Sequence, residues 1–174
     1  MLVDCPRMER IDSGAQAAPS MNRFAMTVVP RCVAWLGASG LIPFLAGAVA
    51  LWTLPPAHAE TATAALIGYA AVILSFMGAI HWGLAMKTSS ATDSARWYAL
   101  GVLPALVGWF ALLLPSLPAL ILLTVAFTSV YLLDRVAVSA RLAPPWYQRL
   151  RLPLTLIVVA SLFAAALSVW IRLP

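Results

Sequence analysis

The chain has 174 residues, of which 63% are hydrophobic and only 10% charged. A soluble domain of this size carries roughly 25% charged residues, so most of this chain has no suitable solvent except lipid. The formal net charge of +5 could mark a nucleic-acid binder, but the basic residues lie between apolar runs and form no basic face, which excludes that class.

Residues 1–30 are polar and without periodicity, and are expected to form a mobile tail ahead of a membrane domain over residues 31–174. Cys5 and Cys32 fit neither a metal spacing nor a disulfide framework, and read as inert thiols. The first apolar run, about Val33 to Leu54, is long enough at ~1.5 Å per residue to cross ~30 Å of hydrocarbon. Further runs follow at about 62–86, 97–114, 117–136 and 153–171, with a tight turn at Pro115 to Pro118 and a polar segment from Asp134 to Leu152. The expected fold is an all-α integral membrane protein with five transmembrane helices.

The positions of Lys and Arg orient it. The tail holds Arg7, Arg10, Arg23 and Arg31, the second loop region Lys87 and Arg96, and the fourth loop Arg135, Arg141, Arg149 and Arg151; only Arg172 falls on the other side. Ten against one places the N-terminus in the cytoplasm and the C-terminus outside. Gly40, Pro43 and Gly47 in the first run match Gly101, Pro104 and Gly108 in the third, which suits helix packing in either case. The match reads as a parallel repeat of two helical hairpins with a fifth helix added, or as chance agreement in an apolar alphabet.

His81 is the one histidine at membrane depth, about 10 Å from the middle of its span towards the cytoplasm. An imidazole there could bind a quinone oxygen, relay a proton, or hold a neighbouring helix by a hydrogen bond. Ser75, Gly78 and His81 recur every third residue, with Trp82 beside them, and Gly68, Ala71, Ser75 and Gly78 form a small-residue face. In the fourth run Thr124, Thr128, Tyr131 and Arg135 fall in one helical sector, which is expected to face the bundle interior or a cavity and not lipid. Asp134 sits beside that stripe and could pair with His81 or with Arg141, giving a candidate polar, ligand or interface site of Ser75, His81, Trp82, Tyr131 and Asp134. Before the last run, Pro144 and Pro145 are expected to stop a helix. Trp146, Tyr147, Arg149 and Arg151 then form a loop suited to lipid headgroups or a docking partner.

No cofactor or metal is expected. Paired-histidine haem ligation needs a second histidine at similar depth, and His58 lies in the opposite loop. No Ser–His–acid set, paired carboxylates or phosphate-binding glycine loop is present in pattern.

Gly40-Leu-Ile-Pro43-Phe44, Ile73 to Gly83 with its Ser-Phe-Met-Gly-Ala-Ile-His-Trp-Gly run, Gly101-Val-Leu-Pro104, and Pro145 to Arg151 together resemble one family. It is the membrane family known as domain of unknown function thirty-four twenty-nine, which includes a mitochondrial member, transmembrane protein sixty-nine. The resemblance covers about residues 28 to 170, with Ala79 where a second glycine is common. It implies no activity; it implies a bacterial inner (cytoplasmic) membrane, in a lineage that also supplied mitochondria. Two functions are then expected. The first is an accessory or assembly subunit of a larger, respiratory membrane complex, with the lipid bilayer and other membrane subunits as partners. The second is a small transporter or a quinone- or lipid-binding protein with its site around His81.

Overall fold

Pro43 decides how the first apolar run enters the bundle. It has no N–H, and its ring crowds the carbonyl of Ser39 four residues back, so a regular helix does not continue through it. The computed structural model describes residues 29–86 and 91–172. In it the run is divided into α1 (Arg31–Ser39) and α2 (Ile42–Thr53), joined through Gly40 and Leu41. The run expected from about Val33 to Leu54 is thus a membrane-length stretch made of two helices with a break at Gly40 and Leu41. The Gly40 carbonyl, at the break, accepts a hydrogen bond from the Tyr69 hydroxyl at 2.9 Å. The tail expected over residues 1–30 lies outside the described residues except for Val29 and Pro30.

The remaining elements are α3 (Pro56–Ala85), α4 (Ala91–Ala111), α5 (Ser116–Ser139) and α6 (Pro145–Ile171), and no strand occurs among the described residues. Proline starts three of them. Pro55, Pro115 and Pro144 stand at the N-caps with extended ψ values of 152°, 154° and 151°. Pro144 and Pro145 therefore open a helix rather than stop one, and Pro153 lies inside α6. The expected loop from Trp146 to Arg151 is corrected to the first turns of α6.

The α5–α6 turn is closed by backbone alone. Leu142 N–H donates to the Ala137 carbonyl and Arg141 N–H to that of Val138, the paired bonds of a Schellman cap. Arg141 occupies the left-handed position of that cap at φ 59°, where glycine is usual. Arg141→Gly is accordingly expected to raise stability by about 1 kcal/mol, read as a higher melting temperature in detergent.

Sequential helices are neighbours. α2 packs on α3, α3 on α4, α4 on α5, α5 on α6, and α6 closes the ring on α2, with α3 and α5 touching across it. Phe44, Leu51, Leu74, Leu120, Leu123 and Leu162 fill the centre and are essentially inaccessible. The Phe44 ring meets those of Tyr69 and Phe127 edge-on at 5.2 and 5.8 Å. The outside is as apolar as the inside, with Trp35, Leu36, Phe163 and Trp170 between 63% and 73% exposed. Four stretches, Arg31–Thr53, Pro56–Ala85, Ser116–Ser139 and Pro145–Ile171, are long and apolar enough to cross a membrane. The chain is thus a helical multi-pass membrane protein whose outer surface contacts the bilayer.

The tightest seam joins α3 and α4. A Cβ built on Gly78 would collide with the Gly101 carbonyl and stand 3.4 Å from Pro104, and one on Gly108 would stand 3.0 Å from the Ala71 carbonyl. Gly47 packs under Leu66, while Gly68 has open space around it, so only part of the small-residue face is used. Pro43 opens a helix whereas Pro104 lies within one, so the two matched segments differ in backbone path.

Candidate functional site

On α5 the inward positions are Leu120, Leu123, Phe127, Val130, Asp134 and Ala137, spaced alternately by three and four. This is an apolar core stripe in which Asp134 stands where another aliphatic residue would fit. The opposing stripe on α6 contains Arg151, Thr155, Val158, Leu162 and Ala165, and α3 contributes Leu74, Met77, His81 and Leu84. Three helices thereby bring a carboxylate, a guanidinium and an imidazole to one level. His81, Asp134 and Arg151 lie four to six residues, about 6–9 Å, from the helix ends at which α3 and α5 stop and α6 begins.

Asp134 is the hub. Its Oδ2 accepts a 2.7 Å charge-assisted bond from Arg151 Nε, and its Oδ1 accepts the Tyr147 hydroxyl at 3.1 Å. His81 Nε2 stands 3.4 Å from the same Oδ1, close enough for an ion pair but without the geometry of a hydrogen bond. The other ring nitrogen, Nδ1, is 3.1 Å from the Met77 carbonyl, which can only accept, so the hydrogen is assigned to Nδ1. His81 and Asp134 are both wholly buried, and Arg151 is 7% exposed.

Apolar layers bound the cluster on both sides. Trp97 of α4 stacks on His81 with ring centres 5.9 Å apart and planes 10° from parallel. Together with Leu84, Ala137, Ala143, Val138 and Tyr147 it forms a small apolar plug at the end of the bundle nearest the cluster. The main core lies on the opposite side. Between α1, α2, α3, α5 and α6, Arg151 and Thr155 also line a cavity of about 130 Å³ whose remaining walls are apolar. Arg151 Nη2, Thr155 Oγ1 and His81 Nε2 are buried there and in the cluster without a hydrogen-bond partner.

Of the residues singled out from sequence, the structure brings His81 and Asp134 together; Arg141 is exposed on the turn and is not Asp134's partner. Ser75 donates to the Ala71 carbonyl within its own helix, at 2.9 Å. Trp82 covers Gly101 and donates to the Tyr98 carbonyl at 3.1 Å, a bond that ties α3 to α4. Tyr131 lines a groove with Gln148 and Arg149 between α5 and α6. The stripe of Thr124, Thr128, Tyr131 and Arg135 is split: Thr124 and Tyr131 are half-buried along grooves, whereas Thr128 and Arg135 are exposed. The physical reason is local: Thr124 and Thr128 donate to carbonyls four residues back, so their hydroxyls need no interior partner.

The last-helix residues divide by face. Tyr147 and Arg151, one turn apart, point inward to Asp134, and Thr155 continues their line; Arg149 is exposed and Trp146 half-buried. A place for Tyr147 and Arg151 on a headgroup loop is therefore corrected to the bundle interior. Sequence reasoning missed Arg151 and Tyr147 as partners of Asp134, Thr155 on their helix face, and Trp97 as the ring stacked on His81. The signal was the continuous 4-4-3-4 spacing of Tyr147, Arg151, Thr155, Val158 and Leu162, legible once Pro145 is taken as a helix start.

Transmembrane protein 69 of Xenopus tropicalis is 31% identical to this chain over 151 residues, covering 83% of the chain and 57% of the relative. The chain thus spans little more than half the length of that curated relative. No solved structure matches it. A family model described as "Protein of unknown function (DUF3429)" matches residues 29–167, which include every member of the buried cluster and its plug. By that match and by its likeness to transmembrane protein 69, the chain belongs to the DUF3429 family.

Proposed function

We propose that this is a five-span protein of the bacterial inner membrane, N-terminus cytoplasmic and C-terminus outside, that binds a lipid-soluble small molecule beside the His81–Asp134–Arg151 cluster. The orientation rests on the ten-to-one distribution of Lys and Arg, and α4, with 21 residues, is long enough to be the fifth crossing. Trp146 and Arg149, on the outer side of α6, suit the headgroup level. Ser75 and Tyr131, which do not touch the cluster, have no part in this reading.

One observation carries the binding role. Arg151 is fixed to Asp134 through Nε, yet its buried Nη2 has no partner, and Thr155 on the same cavity wall is likewise unpaired. Finished protein interiors rarely leave such donors unpaired, because each costs about 1–3 kcal/mol. A bound polar head supplies the missing acceptor. Purification from the native host in mild detergent, followed by mass spectrometry of extracted small molecules, is expected to return a stoichiometric lipid-soluble compound. Protein recovered with none sinks the reading.

An accessory or assembly role in a larger respiratory complex is supported by one surface feature. Gly68 and Gly83 leave open space along α3, where a partner helix could approach closely. The same purification separates the two, since that role requires stoichiometric protein subunits.

A further inference from the structure

We infer that the groove between α5 and α6, at the end where the two helices meet, binds one anionic phospholipid. Arg149 and Arg135 hold its phosphate, and an acyl chain lies along the helix seam. This goes beyond the ligand proposed for the buried cluster and stands without it.

The polar stripe of α5 forms one bank of the groove. Tyr131 and Val138 of α5 face Pro145, Gln148, Arg149 and Leu152 of α6 across it. Arg135 falls between Tyr131 and Val138 on the same face of α5, four residues from one and three from the other. Arg135 and Arg149 stand four residues from Ser139 and Pro145, the helix ends joined by the turn, so they share one level about 6 Å inside. Tyr131 lies one turn deeper. A phospholipid presents its polar groups in the same order, the phosphate first and the ester carbonyls below it, where a tyrosine hydroxyl can donate.

Charge selects the headgroup. No hydrogen bond or ion pair engages the side chains of Arg135, Arg149, Gln148 or Tyr131 among the described residues. Asp134 is the only acid between Ser116 and Ile171, and it is wholly buried and already bonded to Arg151. The groove therefore carries two guanidinium groups and no carboxylate. Guanidinium matches phosphate oxygens by parallel N–H bonds. The ammonium of a zwitterionic headgroup would find no acid here, so a net negative lipid is preferred.

The seam continues into the hydrocarbon. Ile121 and Val125 of α5, with Phe163, Leu167 and Trp170 of α6, line a second and almost wholly apolar groove. It lies on the same side of the helix pair, because Thr124, Tyr131 and Val138 recur every seven residues on α5, and Leu152, Phe163 and Trp170 follow at eleven and seven on α6. Thr124 and Thr128 bond their own helix, so their outward surface towards the chain is that of their methyl groups. Every lining residue of both grooves belongs to α5 or α6, which leaves this side of the pair open to lipid.

The full chain in nonionic detergent, titrated with dioleoyl phosphatidylglycerol and followed by native mass spectrometry, is expected to retain one lipid per chain. Dioleoyl phosphatidylcholine, with the same acyl chains, is expected to bind about ten-fold more weakly. Arg149→Gln is expected to weaken phosphatidylglycerol binding about ten-fold, with the melting temperature of the lipid-free protein unchanged. Arg96→Gln removes the same charge from an exposed position on α4 at the same end of the bundle, and is expected to leave the affinity nearly as it was. Equal losses in the two variants would show a diffuse basic surface, and equal affinity for the two lipids would remove charge as the selector; either overturns the assignment. A dimer that retains no lipid also overturns it and gives the groove to a second copy of the chain. Arg149→Gln leaves Asp134, Arg151 and their cavity intact, so a small molecule still held by that variant belongs to the buried cluster and is scored apart from this site.

Discussion

Asp134→Leu is expected to lower the melting temperature in mild detergent by about 10 °C, the largest effect of any single change in the polar cluster. The substitution leaves the Arg151 guanidinium buried at 7% exposure with no counter-charge, and takes the acceptor from the Tyr147 hydroxyl as well. Removing one partner of a buried pair typically costs about 3–5 kcal/mol, most of it the penalty of the orphaned charge. The double variant Asp134→Leu/Arg151→Met is therefore expected to recover most of the loss, since two apolar chains of similar length fill a level already bounded by apolar layers. A single variant as stable as the parent would show that water reaches Arg151. A double variant no better than the single would show that shape at this level, and not charge, sets the stability.

Gly78→Val is the second large effect. The new Cβ would run into the Gly101 carbonyl, which is helix backbone and cannot swing aside as a long side chain can. The α3–α4 seam must then open along its length, and Trp82 loses its seat over Gly101 and its bond to the Tyr98 carbonyl. The expected cost is about 3 kcal/mol or more, as for overpacking that backbone cannot relieve. Gly68→Ala is the matched control, because nothing lies within 4 Å of the added methyl group. In a helix interior that change is expected to be stabilising by about 0.5–1 kcal/mol. Equal losses at both positions would mean that glycine flexibility, not close approach, is what α3 needs.

The cluster's composition also explains why only half of it could be read along the chain. His81 is conspicuous as an ionisable group in an apolar run, and Asp134 as an acid beside the polar stripe of the fourth run, on the same side. Arg151 and Tyr147 look like ordinary anchors of a membrane helix, because Pro144 and Pro145 read equally as an end or a start. As a start they set the phase of α6, and that phase turns Tyr147, Arg151 and Thr155 inward together. Thr124 and Thr128 mislead in the other direction. A polar stripe in a membrane helix signals an interior face only when its hydroxyls cannot be satisfied locally, and these bond their own helix.

By itself the sequence determined that this is a helical membrane protein, because runs of apolar residues of bilayer length admit no other solvent and no other backbone-satisfying structure. It also marked glycines where helices could approach, but the structure uses Gly78, Gly101 and Gly108 for close contact and leaves Gly68 open. The tertiary structure alone decided that Asp134 belongs to Arg151 and Tyr147 and that a cavity opens beside them. Those facts depend on the rotational phase of three helices and on a break at Gly40 and Leu41, and phase between separate helices is fixed by packing rather than by local propensity.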